Sequence, residues 1–409
     1  MERAELARLL GGTAGDAAAF EMPTVVANDG PSEFMAAFSS AVCGRGAVFL
    51  SDPSWDHGRR AKLGEFLTIA HGEASGRQNR GWLMIPSGGT SGALKFARHD
   101  SETIAAAVRG FCTHFGLSKV NAVGLLPLHH VSGLMAWMRC AITGGTYRSW
   151  SWDEIKRGRW PEIRGRESWV ISLVPTQLQR LMEVPAAVGW LRQFQIIFLG
   201  GGPVWPELAE KAASENLPIS LSYGMTETAA MVTALRPAEF LNRDRSSGKD
   251  LPHARTRLNA DGVVCVSSES MFRGYFPSWR EIGEFETEDR GEISELYHLS
   301  IIGRRDGLII TGGKKVQPEE VENSLRASGE FSDIGVVGVT DAVWGEAVVA
   351  CYPAGGIEPD IDRAVAGLSA EKRPKRFIPV IAWPRNSQGK LNRAALIAAA
   401  IQATVKQQT

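Results

Sequence analysis

The sequence has no excess charge of either sign, because 45 lysine and arginine residues balance 45 aspartate and glutamate residues. A chain without net charge has no general attraction to nucleic acid or to an anionic membrane, so local groups must hold any anionic ligand. The sequence also lacks an unbroken run of the ~18 apolar residues that a membrane-spanning helix needs. The best candidate, residues 122–138, is interrupted by Pro127, His129 and His130. We therefore expect neither a nucleic-acid partner nor insertion into a membrane.

Cysteine is scarce and dispersed. The five cysteines form no C-x-x-C pair and have no clustered histidines beside them, which argues against a disulfide framework and against a zinc knuckle. The first twenty residues predict a short amphipathic helix and lack the apolar stretch of a secretory signal. These features predict a reducing compartment and a cytoplasmic location. They give no indication of the oligomeric state.

Glycine, in contrast, is abundant, with 44 among 409 residues. The length suggests two or three domains. Residues 100–115 predict a helix with Asp100 or Ser101 as its N-cap and Gly116 as its C-cap. Continuous apolar runs predict buried strands, parallel where helices lie between them, at residues 81–86, 122–126, 169–174 and 195–199. The first two-thirds of the chain is therefore expected to be α/β.

The pattern changes near residue 246 to short β-rich segments and turn clusters. Beyond residue 304 a small α/β unit follows, with a helix that opens at Pro318, strands at residues 334–339 and 377–382, and an alanine-rich final helix. A boundary near residues 303–307 predicts one domain of residues 1–303 and a second of residues 304–409.

Residues 87–95, SGGTSGALK, directly follow a predicted strand and suit phosphate. Glycine lets backbone N–H groups approach phosphate oxygens, hydroxyls donate hydrogen bonds, and lysine adds a positive charge. The segment is not a Walker A loop, because Ala93 and Leu94 follow Gly92. A mobile connection is the structural alternative for this segment.

Three further segments carry polar groups: residues 221–228, residues 285–291 together with 302–313, and residues 385–393. Residues 223–227, YGMTE, bring a hydroxyl, a carboxylate and an aromatic ring together, and a carboxylate suits Mg²⁺. Their alternatives are structural: a helix cap for Thr226 or Glu227, a turn for Asp289, a solvated face for residues 304–306, and a helix start for residues 385–393.

The order of these segments carries more weight than any one of them. It resembles the adenylate-forming superfamily of acyl-CoA synthetases, luciferases and peptide-synthetase adenylation domains. The resemblance runs from Ser87 to Lys390. Its matching segments are residues 87–95, 200–203 (GGGP), 223–227, 246–252 (SSGKDLP), 273–275 (RGY), 287–289 (TED), 303–306 (GRRD), 311–322 (TGGKKVQPEEVE) and 387–390 (SQGK).

The chain departs from the superfamily pattern at several positions. Leu94 stands in place of a usual proline, Phe96 and Glu288 in place of usual glycines, and the segment before Ser87 is short. The o-succinylbenzoate CoA ligases of menaquinone and phylloquinone biosynthesis share the compact size and the proline-free loop. Residues 127–135, PLHHVSGLM, also resemble a segment of that branch.

The resemblance implies a fold class and a set of ligands. The fold is α/β, with a large N-terminal domain of parallel α/β subdomains and a small β-barrel-like part, followed by a small mobile α+β C-terminal domain. The implied reaction uses ATP, Mg²⁺ and coenzyme A to convert a small carboxylic acid, here 2-succinylbenzoate, into its acyl adenylate and then its thioester.

The resemblance also implies roles for individual residues. Lys390 bridges the carboxylate and the α-phosphate, Thr226 donates to the α-phosphate, and Glu227 holds Mg²⁺. His130 gates the acyl pocket, and Asp306 is the hinge between the domains. Nucleotide and cosubstrate contacts are expected from Ser87, Gly88, Gly89, Thr90, Ser91, Gly92 and Lys95 (phosphates), Gly200, Gly201, Gly202, Tyr223, Gly224 and Met225 (adenine), Asp289 and Arg304 (ribose), and Gly312 and Gly313 (coenzyme A).

The acid substrate is the least determined part of this expectation. The aromatic carboxylate of 2-succinylbenzoate needs a hydrogen-bond donor at the end of an apolar pocket. Ser132, Arg139 and Thr143 are the candidates. Three alternatives stay open: an acyl-CoA synthetase for another aromatic or medium-chain acid, a ligase that uses a carrier-protein thiol, and a nucleotide-binding homologue that does not ligate.

Overall fold

The computed structural model describes residues 1–11, 22–27, 30–72, 80–88, 94–163, 169–385 and 391–406. Within these ranges the chain forms four β-sheets with helices packed on them, which confirms the α/β class. No helix in these ranges is both long and apolar enough to cross a bilayer.

The first sheet belongs to the N-terminal region and has the order β1-β2-β3-β4. Strands β1, β2 and β3 run parallel, and β4 returns antiparallel to β3. The elements are α1 (Arg3–Leu9), β1 (Thr24–Val26), α2 (Pro31–Cys43), β2 (Val48–Leu50), α3 (His57–Gly72), β3 (Leu83–Gly88) and β4 (Leu94–His99). The predicted strand at residues 81–86 is therefore β3, shifted by two residues, and Lys95 lies on a strand and not in the preceding loop.

The second sheet is the largest and has the order β11-β10-β9-β8-β7-β5-β6. Its β5 to β9 strands are parallel, as the apolar runs predicted, and β10 and β11 are antiparallel additions. The elements are α4 (Ser101–Phe115), β5 (Asn121–Gly124), α5 (Val131–Thr143), β6 (Tyr147–Ser149), α6 (Trp152–Lys156), β7 (Trp169–Leu173), α7 (Pro175–Met182), α8 (Pro185–Leu191), β8 (Ile196–Leu199), α9 (Pro206–Ser214), β9 (Ile219–Met225), β10 (Ala230–Ala234), α10 (Pro237–Leu241) and β11 (Lys249–Asp250).

Both faces of this sheet are covered, which is why its strands read as continuous apolar runs. On one face Ile171, Ile197 and Ile219 pack against α7, α8 and α9. On the other, Val170 and Phe198 pack against Phe111 of α4. Helix α4 has the predicted caps: the Asp100 carboxylate accepts from the backbone N–H groups of residues 102 and 103, and Gly116 is left-handed.

The third sheet is a four-stranded antiparallel meander in the region predicted to be β-rich. Its strands are β12 (Ala254–Leu258), β13 (Val263–Ser268), β14 (Phe285–Ile293) and β15 (Leu299–Arg304). Strand β15 ends at Arg304, inside the segment proposed as the domain boundary.

The fourth sheet forms the C-terminal unit, with the order β17-β16-β19-β18 and β20 paired to β19. The elements are β16 (Ile309–Thr311), β17 (Lys314–Val316), α11 (Pro318–Ala327), β18 (Gly335–Asp341), β19 (Gly345–Pro353), α12 (Ile361–Val365), β20 (Arg376–Val380) and α13 (Arg393–Lys406). Pro318 is the first residue of α11, as predicted. This unit touches the large one where the Arg326 guanidinium lies 5.3 Å from the Trp205 ring centroid. The division into residues 1–303 and 304–409 stays a prediction.

Candidate active site

Strand β9 leads directly into a 3-10 turn at Thr226–Thr228, and this junction holds the candidate residues Tyr223 to Glu227. The Ser87 hydroxyl at the end of β3 donates to Glu227 Oε1 at 2.6 Å. The bond joins two residues that are 140 positions apart in the sequence. It connects the segment predicted to bind phosphate to the carboxylate predicted to hold Mg²⁺.

Glu227 is buried, with 6% of its surface exposed. Its Oε1 atom accepts a second hydrogen bond, from the Tyr275 hydroxyl at 2.7 Å. Buried carboxylates are costly unless hydrogen-bonded or bound to a cation. A buried carboxylate oxygen beside two hydroxyl groups is a set of oxygen atoms that fits Mg²⁺, which takes oxygen ligands and few protein groups.

His99 fixes the backbone of the same turn. Its Nε2 lies 2.7 Å from the Thr226 carbonyl oxygen, and its Nδ1 lies 3.0 Å from Thr103 Oγ1. Burial lowers the pKa of His99 to about 4, so the ring is neutral at pH 7. A carbonyl oxygen can only accept a hydrogen bond, so the proton of the neutral ring is on Nε2, which donates a hydrogen bond to the Thr226 carbonyl oxygen. Thr226 and Glu227 are therefore held in place from the backbone side.

The other end of the site is built around Asp289 on β14. Its Oδ2 accepts from the Tyr223 hydroxyl at 2.8 Å, and its Oδ1 lies 3.3 Å from Arg304 Nη1. Burial raises the pKa of Asp289, while the bond from Tyr223 and the charge of Arg304 oppose that shift. Arg304 also forks onto both carboxylate oxygens of Asp306, at 2.7 and 2.9 Å. The predicted ribose and hinge residues thus form one hydrogen-bonded chain.

Glycines line the strand between these two ends. A Cβ built on Gly200 would lie 3.4 Å from Ser222 Oγ, so the 200–202 segment runs beside β9. A Cβ on Gly224 would lie 2.0 Å from the Ala230 carbonyl oxygen. Only glycine permits β10 to approach β9 that closely. Met225, the last residue of β9, is half-buried.

Lys95 joins the site through Tyr275. It lies on β4 opposite Ser87, and its Nζ is 5.4 Å from the centroid of the Tyr275 ring. Gly88 pairs with Leu94 at the same end of the hairpin. Gly89, Thr90, Ser91 and Gly92 lie outside the described residues, as does Lys390.

Three departures from the superfamily pattern, at positions 94, 96 and 288, have structural explanations. Phe96 is fully buried and packs edge-on against Phe49, 5.1 Å between ring centroids. Leu94 packs against the same cluster. The Glu288 carboxylate pairs with Arg305 Nε at 3.0 Å on the surface, away from the Asp289 side chain. These residues fill a core or form a surface ion pair, and they leave the predicted polar groups in place.

The predicted acyl-site residues lie along α5 and are not all close together. His130 precedes the helix, and Ser132 lies in its first turn. Thr143 ends the helix, roughly 16 Å farther on at 1.5 Å per residue. The Thr143 hydroxyl accepts from the Val120 backbone N–H and donates to the Arg139 carbonyl oxygen. The structure therefore places Ser132 and Thr143 at opposite ends of α5.

Arg139 is buried, with its guanidinium 4.1 Å from the Phe111 ring centroid and 5.9 Å from that of Phe198. Burial lowers its pKa to about 10, which leaves it charged at pH 7. Within the described residues its Nε atom has no hydrogen-bond partner. This side chain is a desolvated cation between two aromatic rings, on the face of the sheet that α4 covers.

Two histidines and an aspartate meet at the start of α5. His129 Nε2 lies 3.4 Å from Asp52 Oδ2, and the His129 and His130 ring centroids are 4.5 Å apart. One ligand atom from each of Asp52, His129 and His130 lies within 4.8 Å of the others. Residues of these types can bind a divalent cation. Sequence reasoning identified His130 and missed Asp52, since no local pattern links it to residue 129.

The two glycines predicted to contact coenzyme A lie in the C-terminal unit. Gly312 and Gly313 form the turn between β16 and β17 with left-handed φ values of +55° and +76°. The Gly312 N–H donates to the Trp344 carbonyl oxygen at 2.8 Å. This glycine turn therefore packs against the β18–β19 turn.

Residues 51–276 match the family described as AMP-binding enzyme. The 2-succinylbenzoate–CoA ligase of Listeria innocua is 30% identical over 324 residues, which cover 76% of this chain and 69% of that protein.

Two solved structures of the o-succinylbenzoate CoA synthetase MenE from Bacillus subtilis share the fold. The complex with the acyl-adenylate intermediate has a TM-score of 0.78 and 21% identity, covering 96% of this chain and 92% of that one. The complex with ATP and magnesium ion has a TM-score of 0.78 and 22% identity, covering 96% and 94%.

Proposed function

The chain belongs to the AMP-binding enzyme family, and we propose on that basis that it is a 2-succinylbenzoate–CoA ligase. Such an enzyme converts 2-succinylbenzoate, ATP and coenzyme A into 2-succinylbenzoyl-CoA, AMP and diphosphate. The cosubstrates are intracellular metabolites, which supports the predicted cytoplasmic location.

One observation carries the proposal for the site. The Tyr223–Glu227 segment is hydrogen-bonded at its first residue to Asp289 and at its last residue to Ser87. At the rise of a strand and a 3-10 turn, its ends are roughly 10 Å apart. That span suits a ribose at one end and a triphosphate at the other. The same polar groups would serve no purpose in a hydrophobic core, where each would cost desolvation.

In the first half-reaction the acid carboxylate attacks the α-phosphorus and diphosphate leaves. Both reactants are anions, so the site must position them and neutralise charge. We assign the hydroxyl of Thr226 to the α-phosphate and Lys95 to the β- and γ-phosphates. The single hydroxyl proton of Ser87 is already donated to Glu227, so this side chain would support the carboxylate. Asp289, held by Tyr223 and Arg304, would accept hydrogen bonds from the ribose hydroxyls, because a carboxylate has acceptor capacity for both.

Glu227 is the residue that would hold Mg²⁺. The ion supplies charge neutralisation on phosphate oxygens when it is bound. The chain's own contribution is to keep this carboxylate buried and oriented, with Ser87 and Tyr275 as its hydroxyl donors. Lys390 would add a positive charge between the carboxylate and the α-phosphate.

In the second half-reaction the thiol of coenzyme A attacks the acyl carbon and AMP leaves. AMP is a far better leaving group than the oxide that direct attack on a carboxylate would expel. We assign this step to a second orientation of residues 304–409, with backbone rotation at Asp306 and with Gly312 and Gly313 beside the pantetheine arm.

A substrate panel tests the proposed specificity. Diphosphate release is measured with ATP and Mg²⁺ for 2-succinylbenzoate, benzoate, 4-phenylbutyrate, succinate and octanoate. We expect the highest kcat/KM for 2-succinylbenzoate. A higher value for an acid without the second carboxylate would contradict the proposed substrate while leaving adenylation intact. ATP cleavage to AMP that needs no acid would contradict the ligase function itself.

A further inference from the structure

Tyr275 follows the third sheet's first hairpin and reaches back to the first sheet. Residues 273–276 run beside β4: the Arg98 N–H donates to the Gly274 carbonyl oxygen at 2.9 Å, and the Phe276 N–H donates to that of Phe96 at 2.9 Å. An antiparallel bridge pairs Ala97 with Tyr275. The backbone of Tyr275 is therefore fixed by strand-like pairing and not by a free loop.

The Tyr275 side chain is held as firmly as its backbone. Its ring packs edge-on against Phe272, with centroids 4.9 Å apart. Its hydroxyl donates to Glu227 Oε1 at 2.7 Å, the same atom that accepts from Ser87 at 2.6 Å. Lys95 Nζ lies 5.4 Å from the ring centroid. One tyrosine thus contacts both the carboxylate assigned to the metal and the lysine assigned to phosphate.

The hydroxyls of Ser87 and Tyr275 make the two carboxylate oxygens of Glu227 unequal. Both donate to Oε1, and no described residue hydrogen-bonds Oε2. A glutamate side chain has several rotatable bonds, and two converging donors select one rotamer before any cation arrives. A ligand that is already oriented binds more tightly because less freedom is lost on binding.

We propose that Tyr275 is a positioning residue that orients Glu227, so that Oε2 is presented to the divalent cation of the nucleotide. This inference rests on the proposed function, since it takes Glu227 as the cation ligand. Tyr275 belongs to a matching segment, residues 273–275, to which the resemblance assigned no role.

The variant Tyr275→Phe removes the hydroxyl and keeps the ring, with its contacts to Phe272 and Lys95. Tyr147→Phe is the matched control: Tyr147 is half-buried, its hydroxyl is shielded from solvent, and within the described ranges that hydroxyl has no hydrogen-bond partner. Thermal unfolding of both variants confirms that the full chain is folded.

The measurement is equilibrium binding of Mn²⁺·ATP to the full chain without acid or coenzyme A, followed by the electron paramagnetic resonance signal of free Mn²⁺. We expect Tyr275→Phe to raise the dissociation constant about tenfold, the effect of one hydrogen bond to a charged group. Tyr147→Phe should bind as the wild type does. In the presence of EDTA no divalent cation is available, so the orientation of Glu227 should no longer affect ATP binding. The dissociation constant of ATP should then change by less than about twofold in either variant.

A double-mutant comparison separates positioning from a general structural effect. In a Glu227→Gln background the metal-binding carboxylate is gone, so adding Tyr275→Phe should weaken Mn²⁺·ATP binding no further. Equal Mn²⁺·ATP affinity of the wild type and Tyr275→Phe would overturn the role of Tyr275. An equal loss of ATP affinity with and without metal would do the same, and neither result would affect the proposed function. Failure of the wild type to bind Mn²⁺·ATP would instead contradict the proposed function on which this role depends.

Discussion

The Tyr223 hydroxyl lies 2.8 Å from Asp289 Oδ2 and donates a hydrogen bond to it. This bond connects β9 of the large sheet to β14 of the third sheet. It leaves Oδ1 facing Arg304, 3.3 Å from Nη1. The geometry fixes the orientation of a carboxylate that we assign to the ribose of ATP.

Asp289→Asn tests that assignment. The amide nitrogen cannot accept from a ribose hydroxyl and meets the Arg304 guanidinium without a charge to balance it. Loss of hydrogen bonds to a charged group costs about 1.5–3 kcal/mol, so we expect KM for ATP to rise roughly 10- to 100-fold. ATP–diphosphate exchange over a range of ATP concentrations measures the change. A rise in KM for the acid, with that for ATP unaltered, would contradict the assignment.

Lys390→Ala separates the two half-reactions. Removing a positive charge from the developing transition state should lower adenylation roughly 10²- to 10³-fold. Thioester formation from supplied 2-succinylbenzoyl adenylate and coenzyme A should stay close to the wild-type rate, because we assign that step to another orientation of residues 304–409. Lys119→Ala, at an exposed position, is the control. Equal loss of both half-reactions would refute domain alternation.

Gly224→Ala tests the close approach of β10 to β9. The new Cβ would lie 2.0 Å from the Ala230 carbonyl oxygen, and strands must separate to admit it. We expect a loss of about 1–3 kcal/mol in stability, measured by thermal unfolding. Gly202→Ala is the matched control, since no atom lies within 4 Å of its added Cβ. Equal melting temperatures for the two variants would show that the strands are not in close contact.

His253 predicts a pH dependence of stability. Burial lowers its pKa from 6.5 to about 4, so the unfolded chain binds a proton that the folded chain excludes between these pH values. Stability therefore falls as the pH falls from 6.5 towards 4, by about 1.4 kcal/mol per pH unit for one proton. His253→Leu should reduce the slope of unfolding free energy against pH by about that amount, and above pH 7.5 the two curves should run parallel. An unchanged slope below pH 6.5 would contradict the exclusion of the proton.

Local features of the fold could be predicted from the sequence. Helix α4 begins and ends where Asp100 and Gly116 predicted, because caps act on neighbouring backbone groups. The buried parallel strands were readable because both of their faces are apolar. Strands β1 and β2 were missed, since three residues are too short to show a period.

Contacts between distant segments could not be predicted in the same way. The pairing of Ser87 with Glu227 depends on how two sheets meet, and no local pattern records it. Tyr275 belongs to a segment that matches the superfamily, but its hydrogen bond to Glu227 depends on its pairing with β4. Strand β4 was not predicted, because residues 94 and 95 were assigned to a glycine-rich loop. The order of motifs predicted the candidate residues, and the structure shows the partners of several that it describes.

The most direct test of the account follows an oxygen atom. The enzyme is given 2-succinylbenzoate with ¹⁸O in its succinyl carboxylate, the one that we expect to be activated, together with ATP, Mg²⁺ and coenzyme A. The products are analysed by mass spectrometry. Attack of that carboxylate on the α-phosphorus must leave one ¹⁸O atom in AMP and yield 2-succinylbenzoyl-CoA. Label in diphosphate or inorganic phosphate, or AMP without label, would contradict an acyl-adenylate intermediate and with it the proposed function.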